Sequence, residues 1–191
     1  MGSAALRFTR RFLVGLGLGV VVCVGGTVAY GSLSQRYRSW KFDREVAAPA
    51  VAATGEAAVA LREGDLVGRL EIPRIGLSVM VFQGTGEVTL IRGAGHVPGT
   101  PSPGADGNVV IAAHRDTFFR KLEGIRAGDR IRIATVGHTF EYVVASTETV
   151  EPEETRVMES RGRSELTLIT CYPFHFVGAA PHRFIVHARP L

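Results

Sequence analysis

Three residue types able to do covalent chemistry sit at the edges of apolar runs. Thr167-Leu168-Ile169-Thr170-Cys171 ends a short apolar stretch on a thiol. Cys171 is the only cysteine outside the uncharged stretch 12–30. Twelve residues later Arg183 opens the run Phe184-Ile185-Val186. Upstream, Val109-Val110-Ile111-Ala112-Ala113 leads directly to His114. A thiol, an imidazole and a guanidinium at strand edges suit nucleophilic acyl transfer.

Each type has a distinct task. A free thiol titrates near 8.5, so only a few per cent is thiolate at neutral pH. A nearby imidazole favours the thiolate, because an ion pair stabilises the charged form of each partner. The same imidazolium then protonates a leaving amine. Arginine stays protonated and cannot act as a base. It suits a developing oxyanion or the backbone of a bound peptide, and one oxyanion donor is typically worth ~3 kcal/mol. The competing reading of Cys171 is a buried packing residue.

From residue 64 the texture becomes short β-like runs between turns. Runs at 67–72, 77–82, 109–113, 130–134, 140–146, 166–170 and 183–188 are predicted strands. The run 87–92 reads as one helical turn, and 117–123 as a short helix capped by Asp116. The stretch 93–107 holds three prolines and five glycines and reads as a long loop. Residues 130–134 and 140–146 form a predicted hairpin with His138 near its tip. The stretch 147–165 is acidic and turn-rich, and is expected to wall one side of a site. The segment 172–182 joins the cysteine to the arginine and is expected to shape a peptide groove. Many short strands argue an all-β domain, a closed antiparallel barrel or a sandwich.

The 191-residue chain, 46% hydrophobic, has material for one domain plus a tether. Its charge of +4 hints at an anionic partner. Residues 1–63, with eight basic and four acidic side chains, account for all of it. The remaining 14 basic and 14 acidic residues cancel, so nucleic-acid binding has little support. Residues 12–30 form 19 uncharged positions, about 28 Å as a helix, close to the ~30 Å hydrocarbon core. A retained transmembrane anchor is expected there, against the alternative of a cleaved signal peptide. Cys23 would pack within it. Residues 1–11 would be a basic cytoplasmic terminus, and 31–63 a juxtamembrane segment and Ala-rich linker. Tyr37, Trp40 and Phe42 suit the membrane interface.

Thr167-Leu168-Ile169-Thr170-Cys171 followed by Arg183 resembles the sortase signature. Ala113-His114-Arg115-Asp116-Thr117-Phe118-Phe119 resembles the sortase histidine motif, and Gly95-His96-Val97-Pro98-Gly99-Thr100 is similar to the segment before it in class D and E branches. The resemblance covers residues 64–191, in the family's order. It implies an eight-stranded β-barrel with short connecting helices, holding a cysteine transpeptidase. Such enzymes cut a Leu-Pro-x-Thr-Gly-like sorting signal between its last two residues. Cys171 would form a thioester, His114 would shuttle the proton, and Arg183 would hold substrate and oxyanion. Thr170 is expected to add a substrate or oxyanion contact, and His96 to be structural or groove-lining. The partners implied are exported proteins with a sorting signal and an amine acceptor from a wall precursor or pilin. The resemblance also puts the catalytic domain on the extracytoplasmic side of the cell membrane, because the charges flanking 12–30 do not orient it.

No cofactor is expected. Cys171, His175, His182 and His187 lie close in sequence but match no familiar zinc spacing. Two rival functions remain at this level: a thiol hydrolase releasing the acyl group to water, and a tethered barrel that only binds exported peptides.

Overall fold

The computed structural model describes residues 10–11, 13–19, 21–22, 26, 61–160 and 162–191. The Ala-rich stretch 46–60, the interfacial aromatics, Cys23 and nine of the 19 positions of the expected 12–30 span lie outside the described residues. Those described within that span are helical and exposed, among them Leu13, Val14, Leu16 and Leu18. Among the described residues, no helix is long and apolar enough to cross a membrane.

The strands between residues 66 and 190 build a closed eight-stranded barrel. In chain order the strands are β1 (Leu66–Ile72), β2 (Leu77–Gln83), β3 (Ala94–His96), β4 (Asn108–Ala112), β5 (Arg130–Ala134), β6 (Thr139–Val150), β7 (Glu165–Tyr172) and β8 (His182–Pro190). Around the barrel they run β1-β2-β3-β4-β7-β8-β6-β5, and β5 pairs back to β1. The barrel is not wholly antiparallel: β2 with β3 and β4 with β7 are parallel. A parallel pair needs a long crossover, and the chain between β4 and β7 contains β5 and β6.

Strand residues alternate between the two faces. Val109, Ile111 and Ala113, then Leu166 and Leu168, then Val186 and Ala188 belong to the inner core. Leu166 and Leu168 are fully buried, each contributing roughly 1.5–3 kcal/mol. The intervening residues of β4, β7 and β8 face outward, Cys171 and Arg183 among them.

Three elements depart from the expectation. Ala94–His96, read as loop, is the short strand β3, held between β2 and β4. A Cβ at Gly95 would stand 2.3 Å from the Gly84 carbonyl oxygen, so glycine lets the two backbones approach. Second, β6 continues to Val150 through the acidic stretch, because residues 146–150 pair with β8. Most of these side chains are exposed, so polar types fit a strand whose outer side meets water. Third, the helix over 117–123 contracts to a 3-10 turn at Arg120–Gly124, and Asp116 does not cap it. The helix α1 (Glu87–Arg92) and the β5–β6 hairpin form as expected.

Candidate active site

Strand register assembles the three reactive side chains. Cys171 on β7 pairs directly with Arg183 on β8. Opposed residues of an antiparallel pair lie on one face with Cβ atoms about 4.5–5.5 Å apart. On the other side of β7, Ala112 of β4 pairs in parallel with Ile169. The ladder extends one step further, since the Ala113 N–H donates to the Ile169 carbonyl at 3.2 Å. Two residues of the same register bring His114 beside Cys171. His114, two residues past the end of β4, Cys171 on β7 and Arg183 on β8 thus fall in one row of neighbouring segments. Their parity is opposite to Ala113, Leu168 and Val186, so the row lies on the outer face.

All three side chains are half-buried. Cys171 is a free thiol. The Phe119 N–H donates to the His114 carbonyl at 3.0 Å, closing the turn that carries the chain away from β4. Arg183 Nη1 donates to the carbonyls of Ala180 at 3.3 Å and His182 at 3.1 Å. These bonds engage one nitrogen at the loop end and hold the guanidinium near the thiol's strand.

Thr170 has a different task from the one expected. It faces inward, is only 2% exposed, and its Oγ1 donates to the Ala113 carbonyl at 2.8 Å. The hydroxyl is committed to a brace between the residue before the cysteine and the residue before the histidine. His96 is likewise internal. Its Nδ1 lies 2.8 Å from Gln83 Oε1, and its Nε2 lies 2.8 Å from the Pro101 carbonyl. Thr100 Oγ1 is 3.1 Å from the same Nε2. No ring nitrogen remains for a substrate, so the groove-lining expectation gives way to a structural role. Burial lowers the His96 pKa, and the bond to the Pro101 carbonyl opposes that shift.

Two pinned segments lie along β7, one against Thr167 and one in the loop that follows Cys171. At the first, Asn108 Nδ2 donates to the Val157 carbonyl at 3.1 Å, while Thr167 Oγ1 donates to Asn108 Oδ1 at 2.9 Å. These outward-facing side chains of β4 and β7 bind down the 3-10 turn Arg156–Met158 as a wall. Sequence reasoning missed Asn108 and gave Thr167 no role, although Thr167 is the first residue of the cysteine motif. The second is the loop between β7 and β8, beginning with a cis Tyr172–Pro173 bond. Phe174 anchors it in the core beside Tyr172 and Phe184. The clustered histidines take separate carboxylate partners: His175 with Glu123, His182 with Glu151 and His187 with Glu148. Four residues from Cys171 along the same face is a pocket of about 570 Å³ bordered by Ser146, Glu148 and His187. Its Glu148 and Arg163 are already paired, with His187 and Glu165.

Residues 70–191 match the family model of the sortase domain. The chain belongs to the sortase family. Sortase D of Bacillus subtilis (strain 168) is 35% identical over 127 residues, covering 66% of this chain and 64% of that protein. The chain therefore spans just under two thirds of that relative's length. Among solved structures, a Clostridium perfringens sortase D5 transpeptidase superposes with a TM-score of 0.69 at 23% identity. That match covers 85% of this chain and 99% of the other, and it establishes the fold alone. Sortase E from Streptomyces avermitilis gives a TM-score of 0.60 at 29% identity, over 68% of this chain and 90% of that one. The 35% identity to a sortase D makes this sortase class D-like. Its Cys171, His114 and Arg183 supply the motif residues named from the sequence.

Proposed function

We propose that this sortase is a membrane-anchored cysteine transpeptidase acting on exported proteins that carry a Leu-Pro-x-Thr-Gly-like sorting signal. One observation carries the reading: Cys171 and Arg183 pair across β7 and β8, and the β4–β7 register leads to His114 two residues past the Ala112–Ile169 pair.

The reaction follows from that row. Proton transfer from Cys171 to His114 makes thiolate and imidazolium. The sulfur attacks the Thr carbonyl carbon, and negative charge collects on the carbonyl oxygen. Arg183 is the permanent cation paired opposite Cys171 on the neighbouring strand and stabilises that charge. When the C–N bond breaks, His114 gives its proton to the departing glycine amine. A thioester to Cys171 remains. An acceptor amine from a wall precursor or pilin lysine then loses its proton to His114, attacks the thioester and releases the thiol. The half-buried setting of the row restrains water, which favours amine over hydrolysis.

The anchor reading has support in the exposed apolar residues Leu13, Val14, Leu16, Leu18, Val21 and Val22. Such side chains favour lipid over water. With 12–30 in the membrane, the barrel works on the extracytoplasmic side at the end of the 31–63 tether.

The test incubates the full chain with a panel of sorting-signal pentapeptides and measures the acyl-enzyme by mass, with and without an amine. A thioester on Cys171 that passes to the amine supports transpeptidation. A thioester released only to water identifies a thiol hydrolase. Peptide retention without any adduct identifies a binding module.

A further inference from the structure

Arg115 follows His114 directly, and its guanidinium reaches out of its own segment. Nη2 donates to the Phe176 carbonyl at 2.8 Å and to the Gly178 carbonyl at 2.9 Å. Both acceptors belong to the loop that joins Cys171 to Arg183. The guanidinium carbon also lies 5.9 Å from the centroid of the Phe176 ring, at the outer limit of a cation–π contact. A single side chain therefore fastens the β7–β8 loop to the residue beside the imidazole.

The remaining ties of this loop lie elsewhere. Phe174 is buried in the core. His175 contacts Arg120 at 3.0 Å and Glu123 at 3.1 Å, both exposed. At Gly178 the backbone has φ +99°, a conformation costly for any residue with a Cβ. That turn presents two carbonyls, two residues apart, to the same nitrogen. Arg115 Nη1 is buried and has no acceptor among the described residues. A buried donor without a partner offsets part of what the two bonds contribute. The loop is thus tied to the His114 segment through one side chain.

We propose that Arg115 is a positioning residue of the transpeptidation reaction. It locks the β7–β8 loop against the His114 segment, so that imidazole, thiol and guanidinium keep one mutual geometry. The inference rests on the function proposed above. A misplacement on the order of 1 Å costs about 10²-fold in rate, so loss of the clamp falls mainly on kcat.

The experiment compares the full chain with Arg115→Met, Arg115→Lys, Gly178→Ala and Arg120→Met. Arg115→Met is expected to lower kcat about tenfold or more, with little change in KM or Tm. Amide hydrogen exchange across residues 175–179 should speed up by a similar factor. Gly178→Ala should reproduce both effects, Arg115→Lys should fall between, and Arg120→Met should leave kcat near the starting value. In an active protein, Arg115→Met that keeps its loop protection overturns the proposal. So does a loop that opens with kcat unchanged, or a rate that falls only in step with Tm. If the unsubstituted chain protects its loop but forms no acyl-enzyme, the functional reading has failed and the positioning role falls with it.

Discussion

Cys171 and Arg183 stand opposite each other across β7 and β8, one residue pair before the strands part into their connecting loop. The pairing fixes the separation of thiol and guanidinium through the backbone ladder. The spacing of twelve residues in the sequence is the consequence: one strand end, one loop and one strand start.

Removing the three reactive groups should have graded effects. Cys171→Ala should abolish acyl-enzyme formation, and His114→Ala should nearly do so. Arg183→Ala should cost ~10²–10³ in kcat, the scale of one lost oxyanion donor. Its Tm should hold, because Arg183 is half-buried and, among the described residues, its side chain bonds its own loop end. Unchanged turnover in Arg183→Ala would remove the residue from the mechanism.

Thr170→Val tests the brace between the two motif strands. The shape is kept, but the buried Ala113 carbonyl loses its donor. A fall of about 1–3 kcal/mol in stability is expected, read by urea denaturation. Turnover should drop further than stability alone explains, because the brace sets the register of His114 against Cys171. A variant with normal turnover would reduce Thr170 to packing.

Asn108→Ala should release the wall at Arg156–Met158. It removes the donor to Val157 and the acceptor for Thr167. The expected readout is a rise in KM for the sorting peptide, together with roughly 1–3 kcal/mol of destabilisation. A KM equal to that of the unsubstituted chain would dissociate the wall from substrate binding.

His96 should make stability depend on pH. Its folded pKa lies below the ordinary 6.5 because burial disfavours the imidazolium. Between those two values the unfolded chain binds more protons, so stability falls as pH drops. Its contribution is complete above about 6.5 and fades as pH passes through the lower, folded value. Tm measured from pH 8 to pH 5 should decline more steeply for the unsubstituted chain than for His96→Gln. Parallel curves would show that the ring is not held neutral.

Asp129 behaves in the same sense at a lower pH. The Arg74 guanidinium bonds its buried carboxylate and holds it below the ordinary 3.8. That stabilisation is present above 3.8 and lost as pH falls through the folded value. Asp129→Asn should cost roughly 1.5–3 kcal/mol near neutrality, and the difference should vanish on acidification. A pH-independent difference would point to packing rather than charge.

The reactive row was legible because each residue sits at the end of an apolar run, and ends of runs become ends of strands. The outer-face geometry was not, since it depends on the parallel pairing of β4 with β7, segments 57 residues apart. β3 was hidden because three residues of Ala, Gly and His carry no strand signal of their own. The second half of β6 was hidden because its polar side chains report solvent, while β8 supplies the pairing. The substrate-contact readings of His96 and Thr170 have one origin, although the structural alternative for His96 agrees with its internal bonds. Both are polar residues beside the site, and only the direction of their side chains shows that the fold consumes them.

β8 has a consequence for when this molecule becomes competent. It pairs with β6 on one side and β7 on the other, and it brings Arg183. A nascent chain emerging from its amino end holds His114 first, then Cys171, with the gap between β7 and β6 still open. Until residues 182–190 arrive there is neither a shut cylinder nor a complete trio. The segment that closes the barrel is therefore also the one that brings the third member of the proposed trio.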